Sequence, residues 1–471
     1  MTLPSFRERL TLLLLALLPF HAFLVTVLTQ AIAGPSHAPV AVLAIWKEAV
    51  LVVILAIAFA ELTKKRTMPV ADTFDCIILG LVFVALALRI TNDQSLTMFA
   101  FGFKYDLFPL VAFLLLRRVD WSDWCKTLLP KMMIAVGCIV AAYGIIAEFL
   151  PLRFFVWLGY SDLHSLYVAN GPLAAFQELE GGMLRRAQSF MSGPNQLGLW
   201  LLIPLGLLLD QYNSKKMFTG KLVAIGTLLL VALVLSFSRA AWIAAAVMMI
   251  VPFVRSTNVL HRKKLYIAIL GFLACFGIAV ALMFPSVFLR FQSSSDHIRK
   301  PVEAIRLMMD HPLGLGLGTA GPVSNRFSDT CVKLPKEADW SWAKDRQDLC
   351  VFVDGTQVQP QSRTCACPLL TENWYLQIGV ELGVIGFVLY LTLTLLILKR
   401  LWKSKDSSVL LSFLGLSIAA LFLHAFEDSA VSYTLWVMLA SAFATLDPCQ
   451  PKSSRSQGPS SSSTSADSTR I

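Results

Sequence analysis

Chemistry in this chain rests on a few ionisable residues set in an otherwise apolar sequence. Arg186 lies in Arg185-Arg186-Ala187-Gln188-Ser189-Phe190, just before Gly193-Pro194-Asn195. Arg239 ends the run Ser236-Phe237-Ser238-Arg239, between two apolar stretches. The planar, permanently charged guanidinium suits phosphate, and a helix starting near Pro194 adds amide donors and positive dipole for an anion. Both arginines also fit a simpler role as interfacial anchors for headgroups. Glu372, in Thr371-Glu372-Asn373-Trp374-Tyr375, is a carboxylate able to take a proton from a sugar hydroxyl, a role worth roughly 10²- to 10⁴-fold in rate. Thr371 and Glu372 equally suit the start of a helix. His297 and His311 are further candidate bases, although His311 opens a glycine-rich run (Pro312 to Gly318) that reads as a turn and lacks the Lys-Ser/Thr of a phosphate loop. Lys47, Glu48, Arg89, Lys104, Asp106 and Glu381 fall inside apolar runs. Charges there are either functional or paired to hold helices together.

The elements that must position these residues are membrane helices. The 471 residues are 56% hydrophobic and only 15% charged, with a mean hydropathy of +0.66. That composition excludes an ordinary soluble domain. About twelve apolar runs are long enough to span a bilayer as helices: 10–33, 39–62, 73–90, 97–116, 129–150, 194–210, 219–236, 239–255, 265–285, 374–398, 408–425 and 430–446. The expected fold class is therefore an all-α polytopic membrane protein. The first run follows Arg7 and Arg9, exceeds a signal-peptide core, and reads as a signal anchor.

The formal net charge of +10 comes from Lys and Arg in short loops, a topology signal rather than a nucleic-acid footprint. With alternating spans, Lys64-Lys65-Arg66, Arg117-Arg118, Lys215-Lys216, Arg262-Lys263-Lys264 and Lys399-Arg400 share one side. The positive-inside rule makes that side the cytoplasm and puts both termini there. Residues 151–193, the Arg239 turn and the large polar segment 286–373 fall on the opposite face. The expected organisation is a bundle over 1–285, the loop 286–373, a second helical group over 374–446, and a Ser-rich disordered tail over 447–471.

Four of the nine cysteines lie in the large loop: Cys331, Cys350, Cys365 and Cys367. An even set outside the cytoplasm suggests disulfides. Cys365 and Cys367 are awkward partners for one another, so each is expected to bond Cys331 or Cys350. A zinc site is the alternative, but no tight Cys-x-x-Cys pair supports it.

In order, these segments resemble the O-antigen ligase and O-antigen polymerase superfamily. Arg186 followed by Pro194-Asn195 is similar to its Arg-then-Pro-Asn element. Ser236-Phe237-Ser238-Arg239-Ala240-Ala241-Trp242 is similar to its Ser-x-Ser-Arg turn, and Asp310-His311-Pro312 with Gly314, Gly316 and Gly318 to its Pro-x-Gly-x-Gly element. Asn373 with Gly383 and Gly386 resembles the ligase signature. The likeness runs from about residue 100 to 445. It implies a fold related to type C glycosyltransferases and transfer of a glycan from undecaprenyl pyrophosphate at the outer face of the bacterial cytoplasmic membrane, without metal or cofactor. The acceptor would be lipid A core, another lipid-linked glycan or a protein. Arg186 and Arg239 would hold the pyrophosphate, Glu372 would be the base, and Asn373, Asn195, Lys104, Lys47, Arg185 and Tyr375 would contact substrate. One departure stands out: the family signature begins His-Asn, and Glu372 occupies the His position, which leaves ligase and polymerase both open. Two other readings fit the composition. One is a twelve-span secondary transporter, for which no inverted repeat or discontinuous helix is legible. The other is a catalytically inactive relative that binds lipid-linked glycan.

Overall fold

The computed structural model describes residues 2–35, 37–64, 71–161, 171–178, 185–215, 220–255, 291–344, 349–404 and 409–446. The expected span 265–285 and the Ser-rich tail lie outside them. Within them the chain is mostly helical: α1 (Leu3–Leu17), α2 (His21–Ala33), α3 (Trp46–Lys64), α4 (Thr73–Thr91), α5 (Leu96–Asp106), α6 (Phe108–Leu116), α7 (Asp123–Ala147), α8 (Pro194–Lys215), α9 (Gly220–Leu235), α10 (Arg239–Arg255), α11 (Phe291–Asp310), α12 (Trp374–Lys403), α13 (Leu410–Ala419) and α14 (Ser429–Leu446). Leu3–Ala33, α4, α7 and α12 are each long and apolar enough to cross a membrane. The bent pair α5 and α6 makes a fifth if counted as one span, and shorter apolar helices lie at Gly220–Leu235, Arg239–Pro252, Leu410–Ala419 and Ser429–Ala444. These features describe a polytopic membrane protein.

Sequence explains the helix starts. Asp72 caps α4 in a reciprocal box with Asp75, satisfying amides that have no partner within the helix. Arg117 grips Asp72 with two bonds of 2.7 Å and also contacts Asp75, which Arg118 contacts in turn. Nearby, Arg7 pairs with Glu61 at 3.0 Å and Glu8 accepts from the amide and hydroxyl of Ser122. Basic residues at this end of the bundle therefore lock helices together as well as carrying charge. In the core, α13 packs against α8 and α10, α14 against α6, and α12 against both α4 and α11.

Two findings correct the sequence reading. First, the chain is not all-α. Cys331–Leu334 (β1), Cys350–Val353 (β2) and Thr356–Gln359 (β3) form a small sheet in the large loop, parallel between β1 and β2 and antiparallel between β2 and β3. Two disulfides staple it, Cys331 to Cys367 and Cys350 to Cys365. Strands of four residues are too short for their alternation to register against the surrounding apolar signal.

Second, two helices are discontinuous. α5 and α6 meet at an angle of 49°, and α12 is interrupted at Gly383, whose φ is 70°. The glycine-rich run fills the second break. Leu315 and Gly316 donate to the carbonyls of Val380 and Glu381 at 3.0 and 2.8 Å, and Val384 donates to Pro312 at 2.9 Å. The Glu381 carboxylate accepts from the amides of Gly318 and Ala320 at 2.9 and 3.1 Å. A side chain at Gly314 would place its Cβ 2.5 Å from Glu381 O and Gly383 N. The glycines thus allow backbone to lie on backbone.

Candidate functional site

Arg186 and Arg239 are brought together by a turn that Arg186 itself organises. The Ser236-Phe237-Ser238 turn links α9 to α10, with Phe237 in the left-handed region at φ 49°. Arg186 is buried. Its Nε donates to Ser236 O at 3.0 Å, Nη1 to Gln177 Oε1 at 2.7 Å, and Nη2 to Asn195 Oδ1 at 2.8 Å and Phe237 O at 3.3 Å. Much of the guanidinium is therefore spent on holding the turn and the start of α8. Arg239, the first residue of α10, lines a cavity of about 260 Å³ with Arg186, Asn195, Ser238, His297 and Phe422. Ser238 Oγ is buried there and has no hydrogen-bond partner among the described residues. A cationic fork, a helix N-terminus and an unsatisfied hydroxyl converge as an anion site requires.

A second cavity of about 200 Å³ adjoins the first, and Asn195 and Leu423 line both. Its polar wall includes Glu372, His424, Glu427, Asp428, Lys47 and Arg326. Glu372 precedes α12 with φ 50°. Its carboxylate meets Lys300 Nζ at 3.0 Å, and His297 Nδ1 lies 3.9 Å away, so the two cavities share this charged boundary. Burial works against charge on Glu372, but His424, Lys300 and His297 more than offset it and hold the carboxyl below the usual glutamate range. The turn between α13 and α14 is fastened to the same place, because Trp374 N donates to Ala420 O and Asn373 Nδ2 to Leu421 O, both at 2.9 Å. This brings His424 to the wall occupied by Glu372.

The other residues singled out from sequence divide by their contacts. Lys47 lines the second cavity, bonded to His21 Nε2 at 2.9 Å and to Glu48 at 3.1 Å. Lys104 pairs with the same Glu48 at 2.9 Å and lines neither cavity. Asn373 is the N-cap of α12, accepting from Leu376 N. The buried Tyr375 hydroxyl donates to Ser417 O at 2.9 Å. Arg185 binds the carbonyls of Ala147 and Leu150 at the end of α7 and lies over the Phe155 ring. Asn373, Tyr375 and Arg185 thus make scaffold contacts, and none of the three lines either cavity. Exposed His311 ends α11 away from both cavities, and Asp106 and Glu381 are buried near one another at the two helix breaks. Among the described residues, one grouping has metal-ligand spacing, Asp329 with Cys350 and Cys365. Both sulfurs are in a disulfide and Asp329 pairs with Arg363 at 2.7 Å, so the trio does not suit a metal.

Several site residues were not singled out from sequence: Lys300, Gln377, His424 and Glu427. The available signal was His424-Ala425-Phe426-Glu427-Asp428, three ionisable groups in a short turn between two late apolar runs. Comparison with protein-family models finds no match, and comparison with curated proteins finds none of significant similarity.

Proposed function

We propose that the protein is a membrane glycosyltransferase of the O-antigen ligase and polymerase kind. It would move a glycan from undecaprenyl pyrophosphate to an acceptor hydroxyl at the outer face of a bacterial cytoplasmic membrane, through about twelve spans with both termini cytoplasmic. The observation that carries this reading is the pair of adjoining cavities, one built for an anion and the other bearing a carboxylate, with Asn195 and Leu423 common to both.

In this reading Arg239, the first turn of α10 and Ser238 hold the pyrophosphate, and Arg186 holds that turn in place. Charge builds on the leaving pyrophosphate as the glycosidic bond breaks, and fixed donors in a partly dry site stabilise it without reorganising. The acceptor enters the second cavity and its oxygen attacks the anomeric carbon from the face opposite the pyrophosphate, which inverts the configuration. The Glu372 charge drives deprotonation of that hydroxyl. Neither metal nor cofactor is assigned a role.

The test is transfer from a labelled undecaprenyl-pyrophosphate oligosaccharide by the full chain in proteoliposomes, with lipid A core or a second lipid-linked glycan as acceptor. Label on the core indicates a ligase, and a ladder of longer lipid-linked glycans a polymerase. A second reading has specific support. Discontinuous helices with buried Asp106 and Glu381 at the breaks are marks of secondary transporters. Movement of lipid-linked glycan across sealed vesicles without any transfer would favour that reading.

A further inference from the structure

His424 has no assigned part in the reading above, yet its hydrogen bonds are directional. The Glu427 carboxylate accepts from Val323 N at 2.7 Å and from Gln377 Nε2 at 3.1 Å. That turns the Gln377 amide so that Oε1 faces His424 Nδ1, 2.6 Å away. Gln377 is fully buried, and Gly321 packs so closely on its amide that a side chain there would collide with it. An amide oxygen can only accept, so Nδ1 must carry the hydrogen. The neutral ring then presents a lone pair at Nε2. That atom is buried and has no partner among the described residues, while His424 lines the cavity that also holds Glu372. A protonated ring would instead leave an N–H without an acceptor, which is costly in closed surroundings.

We infer that His424 Nε2, rather than Glu372, takes the proton of the acceptor hydroxyl, with Gln377 and Glu427 as positioning residues and Glu372 as the charge that stabilises the imidazolium. The inference rests on the glycosyltransferase reading and names its base. As the acceptor oxygen bonds to the anomeric carbon, its proton passes to Nε2. The bond from that carbon to the pyrophosphate oxygen breaks, and its electron pair leaves with the lipid pyrophosphate. The imidazolium then returns its proton to water. Glu372 is poorly suited to the same task, because Lys300 already occupies one of its oxygens. An oriented imidazole backed by an acceptor chain has the logic of a hydrolase triad.

The experiment uses the full chain in proteoliposomes with labelled undecaprenyl-pyrophosphate oligosaccharide and the acceptor that the wild type uses. His424→Gln should lower kcat by roughly 10²- to 10⁴-fold while the donor KM stays unchanged. Glu427→Gln gives Gln377 a donor where it now has an acceptor, which permits its amide and the imidazole to turn. Its kcat should fall by up to roughly 10⁴-fold, again at constant donor KM. The pH profile separates the two candidate bases. Among the described residues, the ionisable groups near the ring are Glu372, Lys300 and His297, with Glu427 behind Gln377 and Asp428, Lys47 and Arg326 on the wall of the same cavity. A nearby carboxylate favours the imidazolium, so Glu372→Gln should shift the acid limb to lower pH and keep it. His424→Gln should abolish that limb. Wild-type kcat in His424→Gln, or loss of the acid limb in Glu372→Gln, overturns the inference and leaves the glycosyltransferase reading intact. Absence of transfer by the wild type from any of these substrates overturns both.

Discussion

At the scale of single residues, the part played by Arg186 follows from where its donors go. Arg186 gives Nε, Nη1 and Nη2 to protein acceptors, so it works mainly by holding the turn that carries Arg239. Arg239→Ala should abolish transfer with normal expression, and Arg239→Lys should restore only part of it, because an ammonium lacks the fork. The check is glycan output alongside protein level in membranes; normal output from Arg239→Ala would exclude the pyrophosphate role. Glu372 carries a pH prediction. Its folded-state proton affinity is lowered, so the stabilisation from its charge is present above the ordinary glutamate range and is lost as pH falls through the lowered value. Thermal stability of the wild type should therefore drop on acidification more than that of Glu372→Gln, measured in detergent. Glu372 and Arg239 stood out from sequence because charges flanking apolar runs are rare. Asn373 and Tyr375 show the limit of that signal. A cap and a buried hydroxyl bond look the same in sequence as a binding residue, since only the backbone geometry tells them apart.

At the scale of elements, most helices were legible because each is an apolar run bounded by charge or proline. Their interruptions were not. Gly383 was visible as a glycine, but the break in α12 exists because the glycine-rich run docks there and supplies the hydrogen bonds that the helix forgoes. That is a tertiary fact. It makes the docking testable: Gly314 sits at φ 100° with no room for a side chain, so Gly314→Ala should cost about 1–3 kcal/mol and lower both melting temperature and activity. An unchanged melting curve would contradict the close approach. The small sheet was likewise hidden, although the cysteines marked its place. The bonds Cys331–Cys367 and Cys350–Cys365 close separations of 36 and 15 residues. Loop-closure entropy assigns them about 4 and 3 kcal/mol respectively. Reductant should therefore make residues 331–367 sensitive to protease while the helical bundle stays resistant. Equal resistance with and without reductant would show that the sheet holds without its staples.

At the scale of the whole molecule, composition alone established a polytopic membrane protein, because no soluble core accommodates so much apolar surface. It could not tell which apolar helices cross. Leu3–Ala33, α4, α7 and α12 qualify by length, whereas α13, with only ten residues, is enclosed by α8 and α10 and needs its neighbours. The convergence of the α10 turn, the start of α12 and the α13–α14 turn was also illegible, since it joins residues as far apart as Arg186 and His424. That convergence makes two cavities into one candidate reaction site. The most direct test is transfer from labelled undecaprenyl-pyrophosphate oligosaccharide by the purified full chain, with Arg239→Ala alongside. Covalent label on an acceptor glycan with the wild type and none with the variant is the expected result. Wild-type protein that leaves all label on the lipid carrier, whichever acceptor is supplied, would contradict a glycosyltransferase.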